Sequence, residues 1–170
     1  MAIESFLSSI NSTPLKAVAL HWNAARGDRL MPSWDELRPA AMARQLPLIW
    51  SYRFDRSTGE FTGRLAGDRI TEVFDKSLRG TRLQDFHPPE AVPWVTEMLL
   101  RVVSEPALQL SSGRVFKQMD RVGSGQRIIL PLAADGKTAD GILGATEYHS
   151  RIAAELPIQA ATDLEEWFPL

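Results

Sequence analysis

Leu48-Ile49-Trp50-Ser51-Tyr52-Arg53-Phe54 decides the fold class, because Leu48, Trp50, Tyr52 and Phe54 recur at every second position with Ile49, Ser51 and Arg53 between them. A period of two is that of a β-strand, whose successive side chains point to opposite faces. Asp55-Arg56-Ser57-Thr58-Gly59 supplies turn formers, so Glu60 to Ala66 can return as the antiparallel partner of a hairpin. In that hairpin Phe61 and Leu65 are expected to face the same way. An apolar strand pair cannot stand alone in water and calls for further strands and a covering layer.

Downstream, Gly67 is expected at a positive φ where the second strand turns, with Asp68 capping a short helix over Arg69 to Phe74. The region from Asp75 to Pro89 reads as loop-rich, with room for one more turn of helix. Ala91 to Ser104 then places Val92, Val95, Leu99, Val102 and Val103 at helical spacing, and Pro106 stops the helix. Trp94 is expected to face the sheet, so that Trp94→Ala would cost about 3 to 5 kcal/mol. Three strands close the chain: one within Ala107 to Arg121, bulged near Ser111-Ser112-Gly113, then Gln126 to Ala133, then Gly141 to His149. Turns at Gly123-Ser124-Gly125 and Asp135-Gly136 separate them.

Upstream, Thr13-Pro14 reads as an N-cap followed by proline in the first turn, and Leu15, Val18, Ala19 and Trp22 form one apolar stripe of a helix ending near Gly27. Pro32, Pro39 and Pro47 restrict the connector to short turns, the best placed being Pro39 to Gln45. Beyond His149 come Pro157 and then Thr162-Asp163-Leu164-Glu165, a capping-box pattern that predicts a terminal helical turn carrying Trp167 and Phe168. The order of elements is that of an α+β domain built on a five-stranded antiparallel sheet. The expected organisation is a flanking helix over 1–27, the domain over 28–149 and a C-terminal extension over 150–170.

Three stretches carry a resemblance: Trp22-Asn23-Ala24-Ala25-Arg26-Gly27-Asp28-Arg29-Leu30-Met31-Pro32, Arg64-Leu65-Ala66-Gly67, and Ile129-Leu130-Pro131-Leu132-Ala133-Ala134-Asp135-Gly136. In this order and at these separations they resemble short bacterial proteins made of one PAS domain preceded by a helix, over about residues 14 to 148. The resemblance implies a PAS-like sheet with helices on one face and a flanking N-terminal helix. It also implies a non-enzymatic sensory role, in which a small molecule or a signalling partner is bound. It names no particular ligand or cofactor.

Composition narrows the function classes. A hydrophobic fraction of 44% and a formal net charge of −2 suit a globular domain with no global attraction to nucleic acid. Arg26, Arg29, Arg38 and Arg44 are interspersed with Asp28, Asp35 and Glu36, a pattern that favours intramolecular pairing over phosphate binding. The chain has no cysteine, which removes disulfides, thiolate metal sites and thiol nucleophiles together. Glu4 is the only charge in Met1 to Ile10, and the longest apolar run, Ile128 to Ala134, is far below the ~18 residues of a membrane span. A cytoplasmic protein is expected.

Catalytic patterns are scarce. His21, His87 and His149 lie outside metal-ligand spacing of one another, and Gly123-Ser124-Gly125 lacks the spacing of a nucleophile elbow. His87 falls where some haem-binding PAS relatives place an axial ligand, yet Pro88-Pro89 makes it a loop residue here. Arg26 and Arg29 read as anchors for the connector, with ligand contact the alternative. The candidate cavity between sheet and helices is lined by Trp50, Tyr52, Phe61, Arg64, Phe74, Trp94, Met98 and Leu130, or is simply filled by them. Arg64 stands out, since a strand arginine needs an acidic partner if buried. The stripe Leu15, Val18, Ala19 and Trp22 must be covered, and a homodimer with this helix as its principal contact is expected, passing any signal to a protein partner.

Overall fold

The alternating stretch becomes β1 (Ile49–Asp55), the second strand of a six-stranded antiparallel sheet in a computed structural model that describes residues 1–118, 121–152 and 163–170. The others are β2 (Glu60–Ala66), β3 (Ala107–Gln118), β4 (Arg121–Leu132), β5 (Gly141–Ile152) and β6 (Leu164–Pro169), arranged β2-β1-β5-β4-β3-β6. One face carries Trp50 and Tyr52, and is covered by the mid-chain helices α3 (Asp68–Phe74), α4 (Leu83–Phe86) and α5 (Val92–Ser104). We call this the inner face. The outer face is covered by α1 (Ala2–Ser9), which packs on β3 and β6, and α2 (Thr13–Arg26), which packs on β4 and β5. Burial on both sides explains why Ile49 and Ser51 are as inaccessible as Trp50 and Tyr52.

The α2 stripe is as expected, but its cover is its own sheet. Ser12, one residue earlier than anticipated, caps the helix by accepting from the Leu15 N–H at 3.2 Å, and Gly27 ends it. Leu15, Val18, Ala19 and Trp22 are all buried against the outer face. Trp22 Nε1 donates to the Pro131 carbonyl at 2.9 Å. These four residues are therefore not a dimer contact in this fold, because the sheet face that they would have left bare is the surface they occupy. The expected flanking region 1–27 holds two helices, and the periodicity read from Thr13 onward did not reveal α1 as a separate one. Its buried residues Ile3 and Phe6 make too short a pattern to stand out, and Phe6 finds its partner far along the chain, 5.3 Å from the Phe168 ring.

Four further expectations are corrected. A bulge between Ser51/Tyr52 and Leu65/Gly63 puts Leu65 opposite Ser51 while Phe61 stays opposite Phe54, so Phe61 and Leu65 face opposite sides. Gly123-Ser124-Gly125 lies inside β4 instead of forming a turn, paired with Phe116, Arg114 and Gly113 of β3. The terminal segment is a strand, not a helical turn: β6 pairs with β3 and covers what would be an unpaired edge, with Thr162 and Pro157 outside the described residues. Gly67 has φ −71° and ψ 167°, ordinary extended angles. Its constraint is steric, since a Cβ there would lie 2.0 Å from the Leu46 carbonyl oxygen.

Gly136, by contrast, has φ 76° in the turn between β4 and β5, where Asp135 Oδ1 accepts from the N–H groups of Lys137 and Thr138. Arg26 and Arg29 act as connector anchors. Arg26 Nη1 donates to the Arg29 carbonyl, and Arg29 Nη2 to the Ala25 carbonyl. Arg29 Nη1 meets Glu36 at 2.7 Å, and this contact with the Ser33 hydrogen bonds holds the Glu36 carboxyl near 2.

Candidate functional site

A cavity of about 60 Å³ lies between the inner face and α3, α4 and α5. Strands supply Trp50, Tyr52, Val115, Phe116, Arg127, Thr146 and Tyr148 to its wall, and the helices supply Ile70, Val73, Phe74, Phe86, Val95, Met98 and Leu99. Leu78 and His87 complete it from loops. The wall is mostly hydrocarbon, with a few polar groups at fixed places, the usual make-up of a small-molecule site.

Most of those polar groups are already engaged. Trp50 Nε1 donates to Thr146 Oγ1 at 3.0 Å, and the Tyr148 hydroxyl donates to the Arg69 carbonyl, tying β5 to α3. A 3.2 Å hydrogen bond joins the Tyr52 hydroxyl and His87 Nε2. Burial pushes the Tyr52 phenol well above its ordinary range, so it stays protonated. Burial also brings His87 down to about 4, helped by the positive charges of Arg127 and Lys76, so its imidazole is neutral at pH 7.

Arg127 differs from the rest. It is 8% exposed, its Nη2 donates to the Val115 carbonyl at 2.5 Å, and its Nε is buried without a hydrogen-bond partner among the described residues. The Trp94 ring lies 5.6 Å from its guanidinium carbon, within cation–π range. Burial lowers its pKa to about 10, which still leaves it a cation at neutral pH.

Of the residues expected to line the cavity, Trp50, Tyr52, Phe74 and Met98 do so. Phe61 instead packs against Phe54 at 4.6 Å. Leu130 points to the outer face, because it alternates with Arg127 and Ile129 along β4 and sits opposite Leu143 under α2. Trp94 is 48% exposed on the solvent border of α5 instead of facing the sheet. Arg64 leaves the cavity through the β2 bulge and enters an open outer cleft with Trp34, Arg53 and Asp140. There it stacks 4.6 Å from the Trp34 ring, with Nε and Nη1 unpartnered among the described residues and its pKa lowered by burial and by Arg53.

Arg127 and the inward turn of His87 were missed. The signal for Arg127 was present in Gln126-Arg127-Ile128-Ile129-Leu130-Pro131-Leu132, where a strand buried on both faces forces an arginine into the interior. For His87 no comparable signal exists, since its direction is set by the end of α4, where its N–H donates to the Leu83 carbonyl.

The family model described as PAS domain matches residues 10–147. No curated protein and no solved structure matches the chain.

Proposed function

The chain belongs to the PAS domain family, and from that premise we propose that it is a non-enzymatic sensory module that binds a small molecule in the cavity under α5. One observation carries the reading. The cavity is apolar, yet Tyr52, His87 and Arg127 all bring polar atoms to its wall. A protonated phenol, a neutral imidazole and a fixed cation are suited to holding a ligand, and they offer no activated nucleophile. A signal would leave through surface contacts with a signalling partner or a second copy of the chain. The α2 stripe is spent on the sheet and does not serve that purpose.

The small size of the cavity favours one second reading, an adaptor whose interior stays filled by its own side chains. Methyl and imidazole NMR of the full chain against a panel of small amphiphiles separates the two. Ligand binding is expected to move the Met98 methyl and the His87 ring resonances together. A panel that moves neither leaves the adaptor reading standing and removes the sensory one.

A further inference from the structure

We propose that the ligand of this cavity is a short-chain monocarboxylate, its carboxylate held by Arg127 and its alkyl tail lying among Phe74, Met98 and Leu99. The inference rests on the reading of the cavity as a ligand site and adds the ligand's charge and size. Three observations support it. A guanidinium is effectively always protonated, so taking Arg127 out of water requires a compensating negative charge. Among the described residues no carboxylate comes within 4 Å of it: its close neighbours are the Val115 carbonyl and the Trp94 ring. Glu165 is the nearest acidic influence, but it stands two strands away, since both residues pair with Ser111 of β3 from opposite sides, and it is exposed.

The second observation is the Nε, a buried donor on the cavity wall that has no hydrogen-bond partner among the described residues. An unsatisfied buried donor is costly, and more so on a charged group. A carboxylate oxygen is the acceptor that satisfies the bond and the charge together. The third is size. A cavity of about 60 Å³ has room for a small ligand and not for a large one. The hydrocarbon wall selects against a strongly hydrated phosphate and in favour of an anion with an apolar tail.

The test titrates the full chain with sodium butyrate at pH 7.5, against its neutral isostere butyramide at matched ionic strength. Butyrate is expected to bind at least tenfold more tightly, and Arg127→Gln to bring the two within about twofold of each other. A second measurement needs no variant. Carboxyl-labelled [1-13C]butyrate bound to the native protein should titrate at least one pH unit below the free acid, because the buried cation favours its ionised form. Butyramide binding as tightly as butyrate, or a bound carboxyl whose pKa is not lowered, would overturn the anionic class while leaving the cavity a ligand site. If neither compound binds nor moves the Met98 methyl, both the anionic class and the ligand-site reading fall.

Discussion

The Tyr52 hydroxyl and His87 Nε2 meet at 3.2 Å inside the cavity wall, joining the second strand in the sheet to the residue that ends α4. The same histidine is buried, and that burial, with the charges of Arg127 and Lys76, makes the neutral ring strongly preferred.

Stability should therefore depend on pH through His87. Its pKa falls from 6.5 in the unfolded chain to about 4 in the folded one. Between those values the unfolded chain binds a proton that the folded chain does not, so the free energy of unfolding rises with pH. The contribution is complete above pH 6.5 and is lost as the pH drops toward 4, a change of about 3 kcal/mol at most. Urea denaturation at pH 7.5 and pH 4.5 checks it: His87→Gln should flatten the difference, and an unchanged pH profile would refute the assignment.

Two tryptophans should behave oppositely. Trp22 is fully buried and donates to the Pro131 carbonyl, so Trp22→Ala should cost about 3 to 5 kcal/mol. Trp94→Ala should cost no more than about 1 kcal/mol, since nearly half of the side chain is in water. Comparable losses in chemical denaturation would contradict this placement of α5.

Gly67→Ala should destabilise the fold by about 1 to 3 kcal/mol through overpacking, despite backbone angles open to any residue. The obstacle is main chain, the carbonyls of Leu46 and Pro47, which cannot swing aside as a side chain would. An unchanged urea midpoint would show that the connector yields freely there.

Removing residues 163–170 should produce concentration-dependent self-association, readable by sedimentation. The loss exposes the β3 edge and uncovers Phe6 on α1. A truncated chain that sediments as a monomer at every concentration would mean that β6 is dispensable for edge protection.

Local periodicity made β1, α2 and α5 legible, because each element's neighbours along the chain set its pattern. What escaped depends on partners distant in sequence. Leu65 cannot be placed without knowing that β2 bulges at Arg64, a matter of register against Ser51 and Tyr52. For residues 164–169 a capping-box motif competed with alternation, and the decision came from the β3 edge, about fifty residues earlier in the chain. Trp94 lies four residues before Met98 on α5, so its spacing suited burial, yet it falls on the border where the helix meets water. Within the site, aromatic residues advertised themselves, whereas the charged residue that distinguishes the cavity was hidden in an apolar run.

Gln126 and Arg127 are consecutive on β4 and so address opposite faces of the sheet. Gln126 Oε1 accepts from the N–H groups of Asn11 and Ser12, at 2.9 Å each, clamping the corner between α1 and α2, while Arg127 stands in the cavity wall. A single planar peptide unit thus separates a side chain of the cavity wall from one that is hydrogen-bonded to the link between the two N-terminal helices.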